Sequence, residues 1–218
     1  MLTQKIFLVT GASGAIAGYI TDSLQGAGAQ VIRLDRNAKP NTDLVVDLSD
    51  LTQCRAGIEQ VLKKYGRLDG IVHTVGGFAM QSAQAYTPEL LPQMLEVNLH
   101  STVHLAIASL EALQASGGFF GSIAAGQVAR GGAAKTAAYT ASKGAMALYL
   151  QCLALEIKAV QFGIVYPMGT VDTPANRQAM PGANTETWVS PQEIGEAFVF
   201  MASRSSRGRV QEVRIFGG

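Results

Sequence analysis

The chain has 218 residues, 48% of them hydrophobic, and a formal net charge of +1. That is enough for one domain, residues 1–218, with a sizeable buried core, and the near-neutral charge gives no reason to expect nucleic acid or a membrane surface as a partner. No apolar run reaches spanning length, and Cys54 and Cys152 stand far apart outside any Cys-x-x-Cys spacing, so the expectation is a cytoplasmic protein whose cysteines are packing residues.

Lys5–Thr10 is a short apolar run with β-branched residues and predicts a buried strand. It breaks into Gly11-Ala-Ser-Gly-Ala-Ile-Ala-Gly18, after which Ile16, Ile20 and Leu24 mark one face of a helix that Gly26 and Gly28 end. Gln30–Asp35 predicts a second strand. Strand, Gly-rich turn, helix, strand is the unit that binds dinucleotides: Gly11, Ser13, Gly14, Ala15 and Ile16 let backbone approach a pyrophosphate at a helix N-terminus. Asp35, at the end of the second strand, can accept from the ribose hydroxyls of NAD(H) and repels a 2′-phosphate. The following Arg36 could pair with that phosphate, so NAD(H) is favoured and NADP(H) is the alternative.

The alternation continues. Asp43–Asp47 and Leu68–Val75 predict strands around a helix from Asp50 to Lys64. A long helix is expected from about Leu90 to Ala115, then a strand at Gly118–Ala124, a helix from about Thr136 to Val160 and a strand at Phe162–Tyr166. The segment from Gly169 to Val189 predicts a long loop of the kind that forms lids. Ser190-Pro191 caps a last helix, and Val210–Phe216 closes the sheet. The pattern predicts an α/β fold: a Rossmann-like, doubly wound parallel sheet of about seven strands with helices on both faces. Ligands of such sheets bind beyond the carboxyl ends of the strands.

Tyr139 and Lys143 are four residues apart in the helix that begins near Thr136, and so share one face. An ammonium beside a phenol favours the phenolate and should draw the Tyr139 pKa down from about 10. Such a tyrosine can give or take a proton.

These elements, in this order, resemble the short-chain dehydrogenase/reductase family along the whole chain. The motifs that carry the resemblance are Thr10–Ala17, Asp47-Leu48, Thr74-Val-Gly-Gly77, Val97-Asn98-Leu99, Tyr139-x-x-x-Lys143 and Pro167–Pro174. The resemblance implies that Tyr139 is the proton donor, that Lys143 tunes it and holds the nicotinamide ribose, and that Asn98 holds a water in a proton relay. The amide of Asn98 also suits a buried link between its helix and a neighbouring strand. By the same resemblance Asp47 and Leu48 contact adenine, Val75, Gly76 and Gly77 line the cofactor, and Pro167 and Thr170 lie beside the nicotinamide.

Two residues depart from the family pattern. Ala17 stands where many members have the last glycine of the turn, and Gly126 stands where the family has a serine that orients a substrate carbonyl. Ser122 lies inside the strand, out of reach. The dihydropteridine reductase branch of the family also lacks the serine, and Asp172–Pro181, Trp188 and Val75–Phe78 are similar to its substrate segments. Phe78, Gln127, Met168, Arg177, Met180 and Trp188 would wall the substrate pocket. The expected function is NAD(P)H-dependent reduction of a small molecule, with a quinonoid dihydropteridine-like substrate or another carbonyl or quinone as the acceptor. A catalytically silent NAD(H)-binding sensor or scaffold is the alternative of another class. The apolar faces of the two long helices, together with the resemblance, imply a homodimer or homotetramer.

Overall fold

The computed structural model describes residues 2–218. Seven strands, all parallel, form one sheet in the order β3-β2-β1-β4-β5-β6-β7: β1 (Ile6–Thr10), β2 (Gln30–Asp35), β3 (Leu44–Val45), β4 (Gly70–His73), β5 (Phe119–Ile123), β6 (Gln161–Pro167) and β7 (Glu212–Ile215). The order reverses between β1 and β4, which opens a crevice at the carboxyl ends of those strands.

Helices cover both faces. On one side lie α1 (Ala15–Gly26), after β1, and α8 (Pro191–Ala202), before β7. Ile20, Leu24, Ile194, Phe198 and Met201 pack there against Phe7 and Val9 of β1. On the other side lie α2 (Leu51–Tyr65), α4 (Ser101–Ser116) and α6 (Ala137–Glu156). Ile58, Leu105, Met146 and Leu150 pack there against Ile6 and Leu8 of β1. Successive β1 side chains thus enter opposite cores, as the two-residue period of a strand requires. Among the described residues, no helix is long and apolar enough to cross a membrane.

Local chemistry sets several boundaries. Asp50 accepts from the backbone N–H groups of Thr52 and Gln53 and starts α2, and Gly66, at φ 74°, ends it. Ser190 precedes α8 but makes no side-chain capping bond, so the turn at Pro191 starts that helix without the expected cap.

The helix expected from Leu90 to Ala115 is three pieces: α3 (Leu90–Leu95), a π turn at Glu96–His100, and α4. A π turn inserts one residue and rotates the side chains that follow, and such turns recur at functional sites. Asn98 is its buried centre. The segment from Gly169 to Val189 is also more ordered than a plain loop. A Val171–Val189 bridge closes its base, and Thr173 caps α7 (Pro174–Ala179) by accepting from Asn176 N–H. A four-residue α5 (Gly126–Ala129) follows β5. Cys54 is buried, as expected of a packing residue, whereas Cys152 is exposed on α6 and is not one.

Candidate active site

The Gly-rich turn stands over the crevice. Gly11 holds φ at 64°, and a Cβ there would lie 3.0 Å from Thr74 Oγ1 and 3.2 Å from Val75 Cγ2, so the turn lies close against the end of β4. The Thr74 hydroxyl donates to the Thr10 carbonyl at 2.6 Å and fastens the two strand ends together. Helix α1 begins at Gly14 with no side-chain cap, and Ser13, Gly14 and Ala15 are exposed. A twelve-residue helix with an open, uncapped N-terminus at a strand end suits the pyrophosphate of a dinucleotide.

Asp35 is buried, and its carboxylate accepts from Ser13 N–H at 2.9 Å and Asn37 N–H at 3.3 Å. Burial opposes its ionisation. The bonds from Ser13 and Asn37 outweigh that cost and hold the carboxyl below its usual range. Asp35 therefore stays charged and also shapes the turn. Arg36 is exposed beyond it. Asp47 Oδ1 accepts from the Ser49 backbone N–H at 3.0 Å and from its hydroxyl at 2.8 Å. The Leu48 side chain is in the core, so only its backbone can meet a ligand.

Tyr139 and Lys143 project from α6 toward the ends of β4 and β5. Lys143 is 7% exposed, and its Nζ donates to the Ile123 carbonyl at 2.8 Å. Burial lowers its pKa to about 8. Burial also pushes Tyr139 up to about 12, the reverse of the lowering expected from a neighbouring ammonium. In this structure burial, rather than the charge of Lys143, sets the phenol. The Tyr139 ring meets Phe78 edge-on, with centroids 4.9 Å apart and planes at 78°.

Asn98 is 1% exposed, and both ends of its amide are hydrogen-bonded. Oδ1 accepts from Gly77 N–H at 2.9 Å, and Nδ2 donates to the Gly77 carbonyl at 3.1 Å and to Ser142 Oγ at 2.9 Å. A Cβ on Gly76 would lie 2.8 Å from Asn98 Oδ1 and 2.9 Å from Lys143 Nζ. Gly76 is thus the gap through which the π turn, the β4 end and α6 converge. The link made by Asn98 runs to the turn after β4 and to α6.

Gly126 has no room for the absent serine. A Cβ there would stand 2.7 Å from the Pro167 carbonyl and 2.9 Å from Met168 Cα. Ser122 is buried in β5 and donates to the His73 carbonyl at 3.2 Å, too deep to reach a ligand.

The expected pocket residues separate into two groups. Phe78 is 60% exposed beside Tyr139. Gln127 and Met168 are half-buried near Gly126. Arg177 is paired with Asp172 at 2.6 Å and shares a cleft with Tyr19 of α1, Thr173 and Pro191. Its guanidinium is thus already engaged, on the α1 side. Met180 is exposed at the end of α7, and Trp188 is half-buried beside Val189. Pro167 is buried at the end of β6, and the Thr170 carbonyl accepts from Val189 N–H at 2.8 Å.

Two side chains carry no motif and escape a reading of the sequence. Buried His73 bridges Thr10 Oγ1 at 2.9 Å and Ser101 Oγ at 3.2 Å. Ser101 spends its own proton on the Val97 carbonyl, so His73 carries its proton on Nε2 and accepts from Thr10 at Nδ1. Burial, with the Lys143 charge, holds its pKa near 3. This neutral ring ties the end of β1 to the first residue of α4, just after the π turn. The second is Arg130, whose Nη1 donates to the Met168 carbonyl at 2.6 Å. A lone arginine outside any motif gives no signal in sequence.

The family model for short chain dehydrogenases matches residues 5–184. An uncharacterized oxidoreductase of Staphylococcus saprophyticus is 27% identical over 98% of this chain and 97% of its own length. Among solved structures, an alcohol dehydrogenase from the archaeon Thermococcus sibiricus, complexed with 5-hydroxy-NADP, superposes with a TM-score of 0.85 at 23% identity, covering 98% of this chain and 97% of that one. A 3-ketoacyl-(acyl-carrier-protein) reductase from Brucella melitensis, complexed with NADH, gives a TM-score of 0.85 at 21% identity over 100% and 99% of the two chains. At those identities the two structures speak for the fold alone.

Proposed function

The chain belongs to the short-chain dehydrogenase family and is an oxidoreductase of that type, and on this premise we propose that it is an NAD(P)H-dependent reductase of flat, conjugated acceptors, with Tyr139 as proton donor. The observation that carries the reading is exposed Phe78 set against the Tyr139 ring, together with the lack of a side chain at Gly126 just after β5. Phe78 offers a face on which a planar ring can stack beside the phenol. Position 126 supplies no serine hydroxyl to orient an isolated carbonyl, so stacking on Phe78 takes over part of that task. A quinonoid dihydropteridine fits that description, as does a quinone.

A bound reduced nicotinamide supplies the hydride. The protein binds, orients and delivers the proton. The open N-terminus of α1 takes the pyrophosphate, and Asp35 accepts from the adenosine ribose hydroxyls, which favours NAD(H) over NADP(H). Tyr139 gives its proton to the acceptor oxygen or nitrogen as the hydride arrives on the conjugated system. A pKa of about 12 keeps the phenol protonated until then. Lys143 stabilises the resulting phenolate, and solvent restores the proton. Asn98 acts by fixing the Gly77 turn and Ser142, to which its amide is committed.

Exposed Ile107 of α4 and Leu148 and Leu155 of α6 support a homodimer or homotetramer. The test is NADH and NADPH consumption at the reduced-nicotinamide band with a quinonoid dihydropterin, a quinone and a simple ketone. The reading requires turnover of the planar acceptors in preference to the ketone. Ketone-only turnover, or none, defeats it.

A further inference from the structure

The guanidinium of Arg130 lies between the ends of β5 and β6. Nη1 is fixed by the Met168 carbonyl at 2.6 Å, and Nη2 stands 3.1 Å from the point a Gly126 Cβ would occupy. Among the described residues no carboxylate pairs with Arg130. The Nε and Nη2 protons share one edge of the guanidinium plane, and neither is used by the protein. That edge is a preformed fork for two adjacent acceptor atoms, held on one side by a main-chain oxygen. The segment that carries it adjoins the helix of the proton donor: Ile123, three residues before Gly126, accepts from Lys143, and Val128 of α5 lies 3.8 Å from a Cβ position on Gly144 of α6. Arg130 is exposed, so this unspent fork lies open at a strand edge where ligands of such sheets bind.

We infer that Arg130 is a specificity-determining residue that grips the substrate through two adjacent acceptor atoms, selecting planar acceptors with vicinal oxygens, or an oxygen beside a ring nitrogen, over isolated carbonyls. The inference rests on the reductase reading above and narrows its substrate class. Gly126 leaves room for the arrangement, because a Cβ there would stand 2.7 Å from the Pro167 carbonyl and crowd Arg130 Nη2 at 3.1 Å.

The test uses the full chain and two isomers, ortho-naphthoquinone and para-naphthoquinone, with NADH. The wild type should prefer the ortho isomer. Arg130→Met should raise KM for the ortho isomer by about ten-fold or more, leave the para isomer nearly unchanged and so erase the preference. Arg130→Gln keeps a donor for the Met168 carbonyl but loses the fork, and should behave in the same way if the Met variant folds poorly. Arg130→Lys, a point charge, should restore little of it. Equal losses for both isomers, or no loss, would overturn the inference. Calorimetric binding of the two naphthalenediols provides a readout that needs no turnover, and the ortho isomer should lose about ten-fold in affinity in the Met and Gln variants. Absence of all turnover defeats the reductase reading, while the calorimetric ratio still decides the role of Arg130.

Discussion

Asn98 closes both backbone groups of Gly77: its Oδ1 accepts the N–H at 2.9 Å and its Nδ2 donates to the carbonyl at 3.1 Å. The amide mimics a strand neighbour for a turn that has none, and the π turn at Glu96–His100 carries it there. Asn98→Ala would leave half-buried Gly77 and fully buried Ser142 short of partners. It should cost about 2 kcal/mol of stability, and Asn98→Asp, which loses the donor, about as much. Chemical denaturation checks this. An unchanged midpoint in both variants would show that the clamp is dispensable.

Burial of Lys143 makes it a liability for stability. Its pKa falls from the ordinary 10.5 to about 8, so the folded state disfavours the charged form. Below pH 8 the unfolded and folded chains both hold the proton, and the penalty is fully present. As pH rises from 8 to 10.5 the folded chain releases its proton first, and the penalty fades. Lys143→Met should therefore lose activity yet gain up to about 3 kcal/mol at pH 7, less whatever the Ile123 bond contributes. The gain should shrink through the alkaline window. Denaturation at pH 7 and pH 10 reads both, and a variant less stable at pH 7 contradicts the account.

Restoring a hydroxyl at Gly126 should not rescue a simple carbonyl reductase. The Cβ of Gly126→Ser would be 2.7 Å from the Pro167 carbonyl, backbone that cannot swing aside. The expected outcome is a loss of about 1–3 kcal/mol by overpacking, with no increase in ketone turnover. Thermal melting and a ketone assay check the two halves separately.

The Asp35 carboxylate holds Ser13 N–H at 2.9 Å and, in the proposed function, also meets the adenosine ribose. Asp35→Ala should lower kcat/KM with NADH by at least about ten-fold and leave NADPH less affected, because the repulsion of a 2′-phosphate goes with the carboxylate. Parallel assays with the two nucleotides measure the ratio. A ratio unchanged by the substitution would remove Asp35 from the discrimination.

The parts of the fold that local patterning controls were legible in the sequence. The bounds of β2 matched, Asp50 capped its helix, and the alternating strands and helices gave the parallel sheet. The parts decided by tertiary contact were not. A π turn shifts the phase of a helix by one residue without changing which residues are apolar, so the run from Leu90 read as one helix. Helix α7 is six residues long and depends on Thr173 and Pro174, too short for apolar periodicity to show. The spacing of Tyr139 and Lys143 gave their shared face but not the direction of the tyrosine shift, because burial at the end of β5 outweighs the pairing. The fork of Arg130 depends on the Met168 carbonyl, thirty-eight residues away, which no local pattern encodes.

The proposed proton-delivery role of Tyr139 is tested most directly by Tyr139→Phe. The ring that meets Phe78 edge-on is kept and only the hydroxyl goes, so packing and nucleotide affinity should hold. Turnover of a planar acceptor with NADH should fall by about 10²- to 10⁴-fold while NADH binding, measured by fluorescence titration, stays within about two-fold of wild type. Undiminished turnover in Tyr139→Phe would contradict the account at its centre.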